Sequence, residues 1–246
     1  MPKIKNLRTK PPKNADRKKL EDATDDYVKR IGELQKLLMA NGSHSLLVIF
    51  QGMDASGKDG AVKNVFRKCI HNNISVYSFK KPTEEEFAHD FLWRVHKQCP
   101  AKGEIKIFNR SHYEDILIQR VHGWVSEERV QQRMAAINAF EELLINDGNT
   151  ILLKFFLNLS KTQQKIELQE RIDEREKNYK HNPNDWKERE HWSKYMQCYE
   201  DVLNWSSVPW TVVPVDERWY RDYVVSKKIV ESLEKLKLDW PPLETE

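Results

Sequence analysis

The chain has 246 residues, of which 39% are hydrophobic, and 41 Lys and Arg stand against 38 Asp and Glu. That is ample for one well-buried core, but the net charge of +3 is too small to hold a polyanion by an overall field; such a partner would need a local patch. No apolar run approaches the roughly 20 residues that span a bilayer, so no membrane partner is expected. Residues 1–14 are basic and contain proline, but lack the apolar stretch of a secretory signal; they read as a mobile tail. Cys69, Cys99 and Cys198 are odd in number and far apart, which fits neither a disulfide framework nor a zinc pattern and points to a reducing cytoplasm.

Leu20, Tyr27 and Leu34 recur every seven residues, with Ile31 and Leu38 on the same face, which predicts an amphipathic helix ending near Asn41-Gly42. The apolar run 46–50 predicts a strand buried on both faces, and further strands are expected at 74–79, 105–108, 151–157 and 211–215. Thr83-x-x-Glu86 is a capping box that would open a helix carrying Phe87, Phe91 and Val95. Ser126 and Ser160 cap two more helices, and Val224, Ile229, Leu233 and Leu236 mark a last one. Alternation of this kind predicts an α/β fold with a five-stranded parallel sheet flanked by helices. The span 160–205 is rich in charge and broken at His181-Asn182-Pro183, and it reads as a helical lid.

The first strand runs into Gly52-Met53-Asp54-Ala55-Ser56-Gly57-Lys58-Asp59-Gly60. A strand, a Gly-rich loop, a Lys and a helix form the context of a phosphate-binding (Walker A) loop. Glycines let backbone N–H groups converge on an anion, and Lys58 would neutralise phosphate oxygens. Gly52-x4-Gly57-Lys58 satisfies the spacing, but Asp59 stands where Ser or Thr is usual. Asp54 is a second acid in the loop, and two acids beside a phosphate imply a cation between them, so Mg²⁺ near Asp54 or Asp59 is expected. The third strand ends in Phe108-Asn109-Arg110-Ser111-His112-Tyr113-Glu114. Asn109 stands where many such enzymes place a metal-binding Asp, Arg110 could clamp a phosphoryl group, and His112 reads as an ordinary buried histidine. Lys63 and Arg67, four apart on one helix face, and Lys80 and Lys81 after the second strand could track a long polyanion.

These blocks, together with Ser78-Phe79-Lys80-Lys81-Pro82-Thr83, His89-Asp90-Phe91-Leu92-Trp93-Arg94 and Lys187-Glu188-Arg189-Glu190-His191-Trp192, resemble the family-2 polyphosphate kinases over nearly the whole chain. The resemblance implies a thymidylate-kinase-like fold and Mg²⁺-dependent, reversible transfer of the terminal phosphoryl of inorganic polyphosphate to nucleoside mono- and diphosphates. It casts Asp54 as catalytic or metal-binding, Lys58 as a phosphate ligand and Arg110 as a phosphoryl clamp. Arg120, Arg171, Lys177, Lys180 and Arg189 become candidates for nucleotide or polyphosphate contacts, and Glu114 for approach to the acceptor. Asp59 and Asn109 depart from the common pattern in a way that looks like the subclass acting on both AMP and ADP (class III), with guanine nucleotides left open. The resemblance also favours a homo-oligomer, a dimer or tetramer, and implies one domain over 16–240, with tails at 1–15 and 241–246. An ATP-dependent nucleoside monophosphate kinase would share the loop and lid. A nucleic-acid-binding module is disfavoured by the low net charge, so no nucleic-acid partner is expected.

Overall fold

The computed structural model describes residues 3–243. Helix α1 (Arg17–Asn41) leads into β1 (Ser45–Gln51), whose loop opens α2 (Lys58–Val65). There follow β2 (Ile74–Ser78), two short helices α3 (Glu84–Phe87) and α4 (Trp93–His96), and β3 (Ile105–Asn109). Next come α5 (Ile118–Val121), α6 (Glu127–Asn146) and β4 (Thr150–Asn158), then α7 (Lys161–Asp173), α8 (Pro183–Glu190), α9 (Trp192–Trp205), β5 (Trp210–Pro214) and α10 (Arg218–Glu234).

The five strands are all parallel, in the order β2-β3-β1-β4-β5. Parallel strands covered by helices on both faces need apolar residues throughout, and every residue of β1 is buried. Alternate side chains feed two cores. Leu47, Ile49, Phe108 and Phe156 pack on the side of α6 and α9, and Leu46, Val48, Phe50 and Phe155 on the side of α1, α2 and α10. Order reverses at β1, which has β3 on one side and β4 on the other, so the crevice above its carboxyl end is where an open α/β sheet binds ligands.

Helix boundaries follow capping chemistry. Asp16 accepts from the Lys19 N–H at the start of α1, and Gly42 ends it in the left-handed region. Ser126 and Ser160 cap α6 and α7 through the N–H groups of Arg129 and Gln163.

Three expectations are corrected. The Thr83–Glu86 capping box is present, but the helix it opens stops at Phe87, which is exposed, and a turn separates it from α4. The 160–205 span is not wholly a polar lid, because α9 buries Tyr195, Cys198, Tyr199 and Val202 in the core. From residue 3 onward the basic N-terminal segment is a docked strap rather than a mobile tail. Ile4 is buried, its N–H donates to Glu200, and Thr9 exchanges hydrogen bonds with Asp216. Residues 1–2, and residues 244–246 of the expected C-terminal tail, lie outside the described residues.

Candidate active site

The loop after β1 is shaped by close approach. Gly57 has φ +85°, and a Cβ there would lie 2.5 Å from the Arg221 guanidinium, which itself donates to the Gly57 carbonyl at 3.0 Å. Gly52 is equally constrained, since its Cβ would come 2.8 Å from the Leu157 carbonyl oxygen. Inside the loop the Lys58 ammonium donates to the carbonyls of Gly52 (2.8 Å) and Met53 (3.1 Å). Burial, with Arg110 nearby, pushes its pKa down to about 8, although Asp54, Glu114 and Asp59 oppose this. Gly60 and Asp59 open α2, which points its N-terminus at the same space.

Arg110 follows β3 in the left-handed region, with φ 63°, and its N–H donates to the Phe50 carbonyl at 3.0 Å. One end of its guanidinium pairs with Asp54 and the other lies 3.5 Å from Glu114. Glu114 is the main reason its charge is held more firmly than usual. Glu114 is fixed by Gln51 Nε2 at 2.8 Å. Burial opposes ionisation of Asp54, but Arg110, Lys58 and Arg171 outweigh it and hold its pKa below the ordinary carboxylate range. Asp59 accepts from the Asn109 amide at 2.5 Å, so Asn109 orients an acid rather than replacing one.

Two cavities meet at Arg110. The first, about 430 Å³, lies over the loop and is walled by Lys58, Arg171, Lys177, Lys180, Arg218 and Arg221, with Asp54 and Asp59 at its floor. The second, about 770 Å³, has apolar walls from Phe79, Pro82, Phe87 and Trp124, with Lys80 and Lys81 at its edge. A smaller space bounded by Asp54, Arg110, Glu114, Asp185 and Tyr199 joins them.

The charged segment after α7 lines this junction and is held by its own polar contacts. Arg171 donates to Asp185 at 2.7 Å, and Lys177 is held by Glu170 and Glu174. Arg189 does not line these cavities; it braces Gln164 at 2.8 Å, and Gln164 donates to the Asp54 carbonyl at 3.0 Å.

Arg120 is also outside these cavities. Glu127 and Asp201 take its guanidinium, so it ties α5 to α6 and α9. Lys63 is exposed and away from all three spaces, while Arg67 lies beyond the end of α2 and is paired with Asp25. Conversely, Arg218 and Arg221 belong to the first cavity and were missed in the sequence. Their only signal was a pair of arginines three apart just after the last strand.

A family model described as Polyphosphate kinase 2 (PPK2) matches residues 14–240. The chain belongs to the polyphosphate kinase 2 family. As a member of that family it is a phosphotransferase with a P-loop kinase fold. It is 46% identical over 220 residues to an AMP/ADP-polyphosphate phosphotransferase of Meiothermus ruber, covering 88% of this chain and 82% of that one. It is 40% identical to an ADP-polyphosphate phosphotransferase of Rhodopseudomonas palustris, covering 87% and 79%. Among solved structures, Polyphosphate Kinase 2 from Arthrobacter aurescens TC1 superposes with a TM-score of 0.94 at 37% identity, covering 98% of this chain and 88% of that one.

Proposed function

We propose that this kinase moves the terminal phosphoryl group of inorganic polyphosphate onto AMP and ADP, with polyphosphate over the loop and the nucleotide in the larger cavity. The observation that carries the reading is the position of Arg110, which borders both cavities and the space between them. A cationic cavity suits a chain of phosphates, and an apolar one with Trp124 and Phe87 suits a nucleoside. The Meiothermus relative is named for both acceptors, which supports AMP and ADP alike.

The chemistry asks for alignment and charge neutralisation more than for covalent help. In this reading Lys58, Arg218 and the α2 N-terminus hold the donor phosphates. Arg110 leaves Asp54 to take the transferring group by its planar fork, and the lid arginine Arg171 closes over it. An acceptor phosphate oxygen is already ionised, so no histidine is assigned a role as base.

Mg²⁺ fits the loop. Asp54 and Asp59 are hard oxygen donors beside the phosphate cavity, and the Asn109 amide holds Asp59 in place. Among the described residues no three His, Cys, Asp or Glu side chains form a cage, so the ion would take its other ligands from phosphate and water. When bound, it would neutralise phosphate oxygens; Asp54 and Asp59 are the residues that would hold it.

The reading also keeps one catalytic domain, a homo-oligomer and a cytoplasmic setting. Burial pushes the Cys69 thiol up to about 12 and the Cys99 thiol to about 11, so neither is poised for disulfide chemistry. No described helix is long and apolar enough to cross a membrane.

The deciding experiment incubates the protein with Mg²⁺, long-chain polyphosphate and, in parallel, AMP, ADP, GMP or GDP. ADP and ATP are the expected products from the adenine acceptors. Turnover with ATP and AMP but none with polyphosphate would replace this reading by an ATP-dependent monophosphate kinase. Sedimentation at the mass of a single chain would remove the oligomer.

A further inference from the structure

The positive charge of this molecule is concentrated in one place. Residues 3–19 contain eight Lys and Arg and one acid, Asp16, a net of seven positive charges. With +3 on the whole chain, the rest is four negative. A polyanion that outgrows the loop cavity is therefore repelled on average by the body of the protein and attracted by this segment.

The segment is built into the fold. Ile4 N–H donates to Glu200 at 2.7 Å, and Asn158 Nδ2 donates to the carbonyls of Leu7 (3.3 Å) and Arg8 (2.9 Å). Thr9 Oγ1 donates to Asp216 at 2.9 Å, and the Asp216 N–H returns to the Thr9 carbonyl at 2.9 Å. Nine consecutive residues, 6–14, arch around an open groove of about 770 Å³. Pro11-Pro12 stiffens the arch, which the Ala15 N–H closes onto the Pro12 carbonyl at 3.0 Å. On its rim Arg8, Lys10 and Lys13 are exposed, and among the described residues their side chains have no ion-pair or hydrogen-bond partner.

The strap is tied to the segment that leads into α10 beside the phosphate cavity. Asp216, to which Thr9 is tied, lies two residues before Arg218, which lines that cavity. Arg17 stands 6.0 Å from the ring centre of the neighbouring Trp219. Arg218 and Arg17 are themselves ion-paired, with Glu167 and Glu170 and with Glu21, whereas the rim cations Arg8, Lys10 and Lys13 have no such partner among the described residues.

We propose that the N-terminal strap is a second binding site for the same polyphosphate chain, holding phosphates distant from the reacting end. The proposal rests on the donor reading above and deepens it. It predicts that the protein prefers long chains over short ones through residues that never touch the transferred group. Association is by charge neutralisation and counterion release, so it weakens steeply with salt.

The test is an equilibrium binding measurement without nucleotide, comparing long-chain polyphosphate with tripolyphosphate. The triple variant Arg8→Gln, Lys10→Gln, Lys13→Gln leaves the anchors intact, because these are main-chain groups and Thr9. Long-chain affinity is expected to fall at least about tenfold at low salt, and the slope of log affinity against log salt to shrink by roughly two. Tripolyphosphate binding and thermal midpoint stay unchanged. The charge-preserving variant Arg8→Lys, Lys10→Arg, Lys13→Arg keeps long-chain affinity.

Unchanged long-chain binding in the Gln variant overturns the proposal. So does an equal loss for tripolyphosphate, which would mean that the strap acts on the cavity. An RNA homopolymer that binds the native protein as tightly as polyphosphate does, and loses as much in the variant, overturns it in favour of a general nucleic-acid surface. Because binding is read without turnover, failure of polyphosphate as a phosphoryl donor appears only in the separate product assay.

Discussion

Lys58 is a buried ammonium whose partners are loop carbonyls, and in the proposed reading a donor phosphate would supply its counter-charge. Its replacement by Ala, or Asp54→Asn, is expected to lower kcat/KM roughly 100- to 1,000-fold while the unfolding midpoint holds. A near-native rate in either variant removes that residue from the mechanism. Arg110→Lys should be nearly as harmful, since a point charge cannot face Asp54 and Glu114 together. The depressed Lys58 pKa gives a pH dependence with a definite sign. Below about 8 the free protein carries the ammonium; above it the proton must be regained on binding. Polyphosphate affinity should therefore fall by up to about tenfold per pH unit as pH rises through that value, and a flat Kd profile would sink the assignment. For the empty protein the effect on stability runs the other way. Unfolded Lys58 keeps its proton up to its ordinary value of 10.5, so between 8 and 10.5 this group makes folding more favourable as pH rises.

Beneath the site Glu141 is fully buried and accepts from Lys154 at 2.5 Å, from Tyr113 at 2.9 Å and from His112 at 3.3 Å. Burial opposes its charge, but His112 and Lys154 hold its pKa below the ordinary value. Its contribution is present above the unfolded carboxylate range and is lost as pH falls through the folded value. Glu141→Gln leaves Lys154 buried without an opposite charge, and should cost about 3–5 kcal/mol in denaturant unfolding. A loss within experimental scatter would mean that the lysine reaches water.

At the scale of elements, the segment proposed as a lid lies between α7 and α9, with the 3₁₀ turn Arg175–Lys180 at its outer edge and Tyr179 exposed there. Three trypsin sites, Arg175, Lys177 and Lys180, lie in that turn, and Lys177 and Lys180 face the loop cavity. Polyphosphate should slow cleavage there several-fold, read by mass spectrometry of early fragments, while cleavage elsewhere is unaffected. Equal protection of a distant site would point to global stabilisation rather than a lid. The central strand β1 was readable because a doubly covered parallel strand is apolar along its length, and every strand lies within a residue or so of its expected span. The helix expected to carry Phe87, Phe91 and Val95 failed for a local reason: Asp90 accepts from the Leu92 N–H at 2.9 Å, a turn that competes with helical bonding. Helix α9 was hidden because charge averaged over 160–205 masked Tyr195, Cys198, Tyr199 and Val202, which follow helical spacing on one face.

At the scale of the molecule, the site gathers residues that follow β1, β2, β3 and β5. The loop residues and Arg110 were legible because their types and spacing carry phosphate chemistry on their own. Arg218 and Arg221 were not, because their meaning depends on α10 starting beside the loop. Arg120 carried the right charge but spends it on Glu127 and Asp201. The strap gave no periodic signal, since main-chain hydrogen bonds and the single buried Ile4 hold it.

The contact between Arg221 and the Gly57 carbonyl joins residues 164 positions apart, and that between Thr9 and Asp216 joins residues 207 apart. Both have a consequence during synthesis. Domains generally fold as units as the chain leaves the ribosome. Here the loop made early waits for an arginine made late, and the strap, translated before the loop, is among the last segments to be tied down. A chain ending before residue 210 should have every loop residue and yet no measurable transferase activity, with its first residues open to protease. Activity in that fragment would mean that the loop closes without α10.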